Sequence, residues 1–156
     1  ISAADADDQL RAALGQVRDD WLDLLLATRV IPSFAAARLT VLQHYPASQA
    51  ALARLCPGDP DVAERFELYI GPMDLAHGYV ELTEASAQAA RYATDIESRE
   101  PSGQKVRPTD QNLLAALAAG LPPCAGGALG VERLQMLHDK TDDIRDVITF
   151  TFEEGA

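Results

Sequence analysis

Positive charge is scarce in this chain. Thirteen Lys and Arg stand against 24 Asp and Glu, for a formal charge of −11. With no Lys/Arg cluster to offset that balance, the segment repels polyanions and is a poor platform for nucleic acid. Cysteine is equally sparse: Cys56 and Cys124 lie far apart, without metal-type spacing. They read as cytosolic thiols, which excludes a disulfide scaffold and a zinc cluster. No apolar run approaches membrane-spanning length, and no basic region followed by an apolar stretch opens the chain. The expected location is the cytoplasm, with no membrane partner. There are no internal repeats. With only three histidines, no Ser/His/Asp or Cys/His grouping has usable spacing: His44 and His138 are isolated, and His138 reads as a helix C-terminal residue. The chain begins at Ile1 rather than Met, and is read as a piece of something longer.

What remains is a soluble globular composition, 47% apolar and 24% charged, over enough residues for one domain with a core. Its organising stretch is RFELYIGPMDLAHGYVEL, Arg65 to Leu82. Phe66, Leu68 and Ile70 alternate with Arg65, Glu67 and Tyr69, the period of a half-buried strand. Gly71-Pro72 ends that strand, and a two-residue turn pairs Ile70 with Met73. Strict alternation from there places Val80 and Leu82 on the polar side. A β-bulge near Ala76 restores them to the side of Phe66 and Leu68. The bulged hairpin then presents Glu67, Asp74, His77, Tyr79 and Glu81 on one face. That is more costly polar groups than an ordinary core face carries.

Along the rest of the chain, 1–8 reads as a frayed lead-in. Gln9 to Val30 reads as helix, interruptible at Gly15, packed through Trp21 and stopped by Pro32-Ser33. A short strand follows at Leu39 to Gln43, then a helix through Leu55 with Ser48 as N-cap, and a loop at Cys56 to Pro60. After the hairpin, Thr83 caps a helix to Arg99, and Pro101 to Pro108 is a polar loop. Asp110 to Ala119 is helix, ended by Gly120. CAGGALGVERLQML is a small-residue strand running into a helix. The tail reads as a helical turn at Ile144 to Asp146, then a strand to Phe152.

Gly126, Gly127 and Gly130, around Ala128, let a ligand or another backbone lie against the strand. Arg133 falls in the first turn of the next helix, where amides and dipole favour anions, and a guanidinium there can pair with phosphate or stack on a purine. An equally simple reading is a strand corner with Arg133 salt-bridged to a surface carboxylate. Glu67 and Asp74 are hard oxygen donors suited to Mg²⁺, or else residues of a solvated sheet face. Glu81 suits a substrate ammonium, with Tyr79 as a wall for its stem. His77 is either a structural histidine or a ligand contact.

ERFELYIGPMDLAHGYVEL resembles the metal- and lysine-binding ribbon of class II lysyl-tRNA synthetases. GALGVERLQML resembles class II motif 3, and IRDVITF the closing segment. More narrowly, YPASQAALARL, PTDQNLLAALAAGLPPC and ALGVERL resemble the elongation factor P–(R)-β-lysine ligases, synthetase paralogues without an anticodon-binding domain. The likeness covers the chain from about Arg18 onward.

It implies an α+β fold, an incomplete class II antiparallel sheet flanked by helices. Residues 1–35 would be a helical lead-in within an insertion, and 36–156 the C-terminal part of the catalytic domain. The implied activity is ATP-dependent activation of lysine or β-lysine as an adenylate, then transfer to a lysine of elongation factor P, by a protein that is a homodimer at full length and does not use tRNA. By resemblance, Glu67 and Asp74 hold Mg²⁺ with the ATP phosphates, and Arg133 is the catalytic contact to ATP. His77, Tyr79, Glu81, Ala128 and Gly130 form the amino-acid site. Ala128 stands where the synthetases have glycine and the β-lysine ligases alanine; one methyl in that wall favours a differently placed amino group. Asp74 replaces the family glutamate, His77 its asparagine and Glu132 its aspartate. Motifs 1 and 2 are not found, so the 156-residue chain alone is expected to be inactive. The alternatives are part of a tRNA-acylating lysyl-tRNA synthetase, or a non-catalytic synthetase-like binding module.

Overall fold

A computed structural model describes residues 10, 12, 14–99, 105, 106 and 108–151. Five strands form an antiparallel sheet: β1 (Leu39–Pro46), β2 (Leu55–Cys56), β3 (Asp59–Ile70), β4 (Met73–Val80) and β5 (Ala125–Leu129). The order is β1-β3-β4-β5, with β2 paired to β3. Four helices are α1 (Arg18–Leu25), α2 (Ala85–Arg99), α3 (Gln111–Ala119) and α4 (Val131–Asp139), counted among the described residues. The backbone divides into two compact units, one of 1–42, 67–77 and 128–156, the other of 43–66 and 78–127.

In the first unit, Gly15 with φ +61° breaks the expected long helix, and its carbonyl accepts from Trp21 Nε1 at 3.1 Å. α1 continues as a π-helical turn over Leu26–Val30 and a 3-10 turn over Ile31–Ser33, where Pro32 ends it. Gly71 turns the hairpin with φ +51°; a Cβ there would sit 3.1 Å from Ala36 Cα. Tyr69, Leu75 and Met136 are buried, and Phe34 meets Tyr69 edge-on at 5.4 Å. The 3-10 turn at Ile144–Asp146 is present. The strand expected after it is not: Val147 N and Ile148 N both donate back to Ile144 O, which coils the chain instead of extending it. Phe150 is left 75% exposed, and Phe152 lies outside the described residues.

In the second unit, the helix expected from Ser48 to Leu55 is absent. The chain makes a 3-10 turn at Ala47–Gln49, takes φ +51° at Ala51, and bridges Ala53 to Glu81. Arg91 of α2 donates to the carbonyls of Ala51 and Ala53, both at 2.7 Å, fixing the non-helical course. Propensity loses here to tertiary bonds that a single-helix reading cannot foresee. Ala50, Ala53 and Ala63 form a small core with Leu55 and Tyr79 packed on it. Arg65 stacks over the buried Tyr45 ring at 4.3 Å and donates to Gln49 O. α2 begins at Ala85, with Gln88 N donating to Glu84 O, so the helix starts one residue later than a Thr83 cap implies. Asp110 caps α3 by accepting from Leu113 N at 3.0 Å, and Gly120 ends it with φ +107°. The 1–8 lead-in and most of the Pro101 to Pro108 loop lie outside the described residues.

Candidate functional site

The turn is where the hairpin rule put it: β3 ends at Ile70 and β4 starts at Met73. The expected change of side along β4 is visible at Gly78. A Cβ there would meet the Phe66 ring at 2.7 Å, so Gly78 faces Phe66, as the bulged register requires. Phe66 is nonetheless 39% exposed, so that face is only partly covered.

In the first unit Glu67 and Asp74 are half-buried and His77 is exposed. The Tyr69 hydroxyl donates to Glu67 Oε2. Tyr69 stands two residues from Glu67 on an alternating strand, the spacing that signals that both share a face. β5 leads through Gly130 into α4, and Gly130 N donates to Leu75 O at 2.8 Å. That bond seats the first turn of α4 against β4. From it Arg133 Nη1 reaches Asp74, donating to its backbone O at 3.0 Å and to Oδ2 at 3.2 Å. The surface-carboxylate partner for Arg133 is therefore Asp74 itself. Asp74 Oδ1 is buried and makes no hydrogen bond among the described residues. Ala128 lies on an exposed strand.

An unpartnered buried carboxylate oxygen is an expensive thing to leave bare, and a hard cation satisfies it. Among the described residues no group of three or more His, Cys, Asp or Glu could hold a metal on its own. The bare Asp74 Oδ1 is a hard oxygen donor of the kind Mg²⁺ takes, an ion that uses one or two carboxylates and completes its shell with water and substrate phosphates.

In the second unit, Glu81 N donates to Cys124 O at 3.0 Å, next to the glycine-rich strand. Glu81 Oε1 lies 2.9 Å from where a Cβ on Gly126 would be. Gly126 thus leaves room for the carboxylate, and Gly78 lets the Gly126 carbonyl approach, since a Cβ at Gly78 would be 2.7 Å from it. Tyr79 is half-buried; burial first, then the neighbouring Glu81 charge, raises its hydroxyl pKa, while Arg65 pulls it down. A carboxylate beside a tyrosine face suits an ammonium on an aliphatic stem.

The model for "tRNA synthetases class II (D, K and N)" matches residues 23–154. The chain belongs to the class II tRNA synthetase family. It is 48% identical over 133 residues to a Pseudoalteromonas translucida (strain TAC 125) protein named "Elongation factor P--(R)-beta-lysine ligase", covering 85% of this chain and 41% of that protein. It is likewise 48% identical over 138 residues to the Salmonella gallinarum (strain 287/91 / NCTC 13346) protein of the same name, covering 88% of this chain and 42% of that protein. The chain thus spans about two fifths of the length of these relatives. Among the described residues no helix is long and apolar enough to cross a membrane. Cys56 and Cys124 are free thiols.

Proposed function

We propose that the protein carrying this chain is a ligase that activates lysine or β-lysine with ATP and passes the acyl group to a lysine of elongation factor P. The observation that carries this reading is the Arg133–Asp74 contact: the cation after the glycine-rich strand is delivered to a carboxylate whose other oxygen is buried and unpartnered. Relatives named for the same ligase activity support it.

In this reading Glu67 and Asp74 hold Mg²⁺, with Tyr69 orienting the Glu67 carboxylate. When bound, the metal neutralises and orients the ATP phosphates. Arg133 grips ATP, and Glu81 pairs with a substrate ammonium whose stem lies on Tyr79. By resemblance to the family, His77, Ala128 and Gly130 are further amino-acid contacts, and His77 is exposed. Attack of the amino-acid carboxylate on the α-phosphate, with pyrophosphate leaving, needs positioning and charge stabilisation and no protein nucleophile. The chain supplies one arginine of that arrangement, so adenylate formation by the 156 residues alone is expected to be negligible.

ATP–pyrophosphate exchange with the full-length protein tests the assignment. Glu81→Gln should raise the KM for the amino acid at least about tenfold, the loss of a charge-assisted bond, while the KM for ATP holds. Equal losses for both substrates would instead make Glu81 a structural residue.

A further inference from the structure

Tyr69 is 5% exposed, and a phenol on a ring that buried takes a fixed hydrogen-bond partner. Its hydroxyl donates to Glu67 Oε2 on the same face of β3. A glutamate carboxylate turns about several single bonds, and a donor in a set position narrows its choice. An ionised carboxylate has about four acceptor sites, so this bond leaves capacity for a cation. The ring that carries the donor is itself held from outside the hairpin. Phe34 meets it edge-on at 5.4 Å. Phe34 follows directly on the 3-10 turn at Ile31–Ser33, and its N–H donates to Ile31 O at 3.1 Å, which ties the phenylalanine to that turn. Farther along the same segment, Ala36 lies close against the hairpin turn, since a Cβ at Gly71 would be 3.1 Å from Ala36 Cα. Residues 31–36 therefore touch the ribbon at two points, Tyr69 and Gly71, on either side of Ile70.

We infer that segment 31–36 sets the direction of the Glu67 carboxylate through Tyr69, so that Phe34 and Tyr69 are positioning residues for the binding of the metal–nucleotide pair. The inference rests on Glu67 being a metal ligand, as proposed above. The phenylalanine fixes the phenol ring, the ring fixes the O–H donor, and the donor fixes the carboxylate. Ligating carboxylates are commonly oriented in this way, and loss of the orienting partner costs about 10–100-fold in metal affinity. Segment 31–36 lies some thirty residues before Glu67 in the chain, so no local spacing rule joins it to the metal ribbon.

Calorimetry of ATP binding to the full-length protein, in EDTA and in Mg²⁺, reads the gain in affinity that the metal brings. Glu67→Gln should remove most of that gain. Tyr69→Phe, which keeps the ring and its packing, should cut the gain about tenfold. Phe34→Leu, which keeps an apolar side chain but loses the edge-on contact, should cut it about threefold. The double variant should match Tyr69→Phe to within about twofold, because without the hydroxyl Phe34 has nothing left to direct. In EDTA the Tyr69 and Phe34 variants should bind ATP as the parent does, whereas a general loss of packing would weaken ATP with and without metal. An undiminished gain in either single variant, beside a lost gain in Glu67→Gln, overturns the inference and leaves the proposed function standing. Losses that multiply in the double variant, or a matching fall in EDTA, overturn it in the same way. An undiminished gain in Glu67→Gln, or no gain in the parent, overturns the metal reading and the inference together.

Discussion

Asp74 serves two partners. Its Oδ2 holds Arg133 while Oδ1 stays bare, and both side chains are substantially exposed, 41% and 50%. An exposed pair of this kind is worth only about 0.2–1 kcal/mol, so a nucleotide phosphate can displace it. Asp74→Asn should therefore release Arg133 and raise metal-free ATP affinity by up to about fivefold, the equivalent of that pair. The same change should weaken the Mg²⁺-dependent gain. Calorimetry in EDTA and in Mg²⁺ reads both signs, and a fall in metal-free affinity would show that Asp74 does not restrain Arg133. Nearer the end of the chain, hydrogen bonds from Arg145, side chain first and then backbone, hold the Asp143 carboxyl at about 2, against an ordinary 3.8. A depressed carboxyl pKa contributes stability that is present above 3.8 and lost as pH falls through about 2. Arg145→Ala should move the Asp143 titration, followed by carboxyl NMR, back towards 3.8.

At the scale of elements, glycine placement decides how closely strands approach. Adding a methyl at Gly78 sets it 2.7 Å from both the Gly126 carbonyl and the Phe66 ring. The backbone oxygen cannot rotate away, so Gly78→Ala should cost about 1–3 kcal/mol in denaturant unfolding. A loss below about 0.5 kcal/mol would mean that the strands separate freely there. The hairpin was legible because its signals are local: alternation from Arg65 to Ile70, the Gly71-Pro72 turn, and Val80 and Leu82 falling on the wrong side unless a residue is inserted. α3 was legible for the same reason, as a run of strong helix formers ended by Gly120, and so was the step from the small-residue strand into α4 at Gly130. Ala47 to Leu55 was not. Its alanines favour a helix, and the outcome depends on Arg91, about 40 residues later, capturing two carbonyls. The tail failed similarly: Ile144 to Phe152 alternates well enough for a strand, but the turn at Ile144 takes its amide bonds first. The Arg133–Asp74 contact was half-legible, since the residues were singled out for ligands and no spacing rule joins positions 59 apart.

For the whole molecule, strand order leaves β1 and β5 at the ends of the sheet path, and every residue of β5 is exposed. Leu39 and Val41 of β1 and Leu129 of β5 are more than half exposed. Backbone edge and apolar side chains are thus open to solvent at those positions. Which acceptor the full-length protein uses separates the two ligase readings. The acidic balance of the 156 residues disfavours a polyanionic partner at their own surface, since such binding depends on released counterions and basic side chains. The direct measurement incubates the full-length protein with ATP, Mg²⁺ and lysine or β-lysine, offering elongation factor P and bulk tRNA together, and follows both by mass spectrometry. One added lysyl-type group on a lysine of elongation factor P, beside uncharged tRNA, is the expected result. Charged tRNA beside unmodified elongation factor P would contradict it.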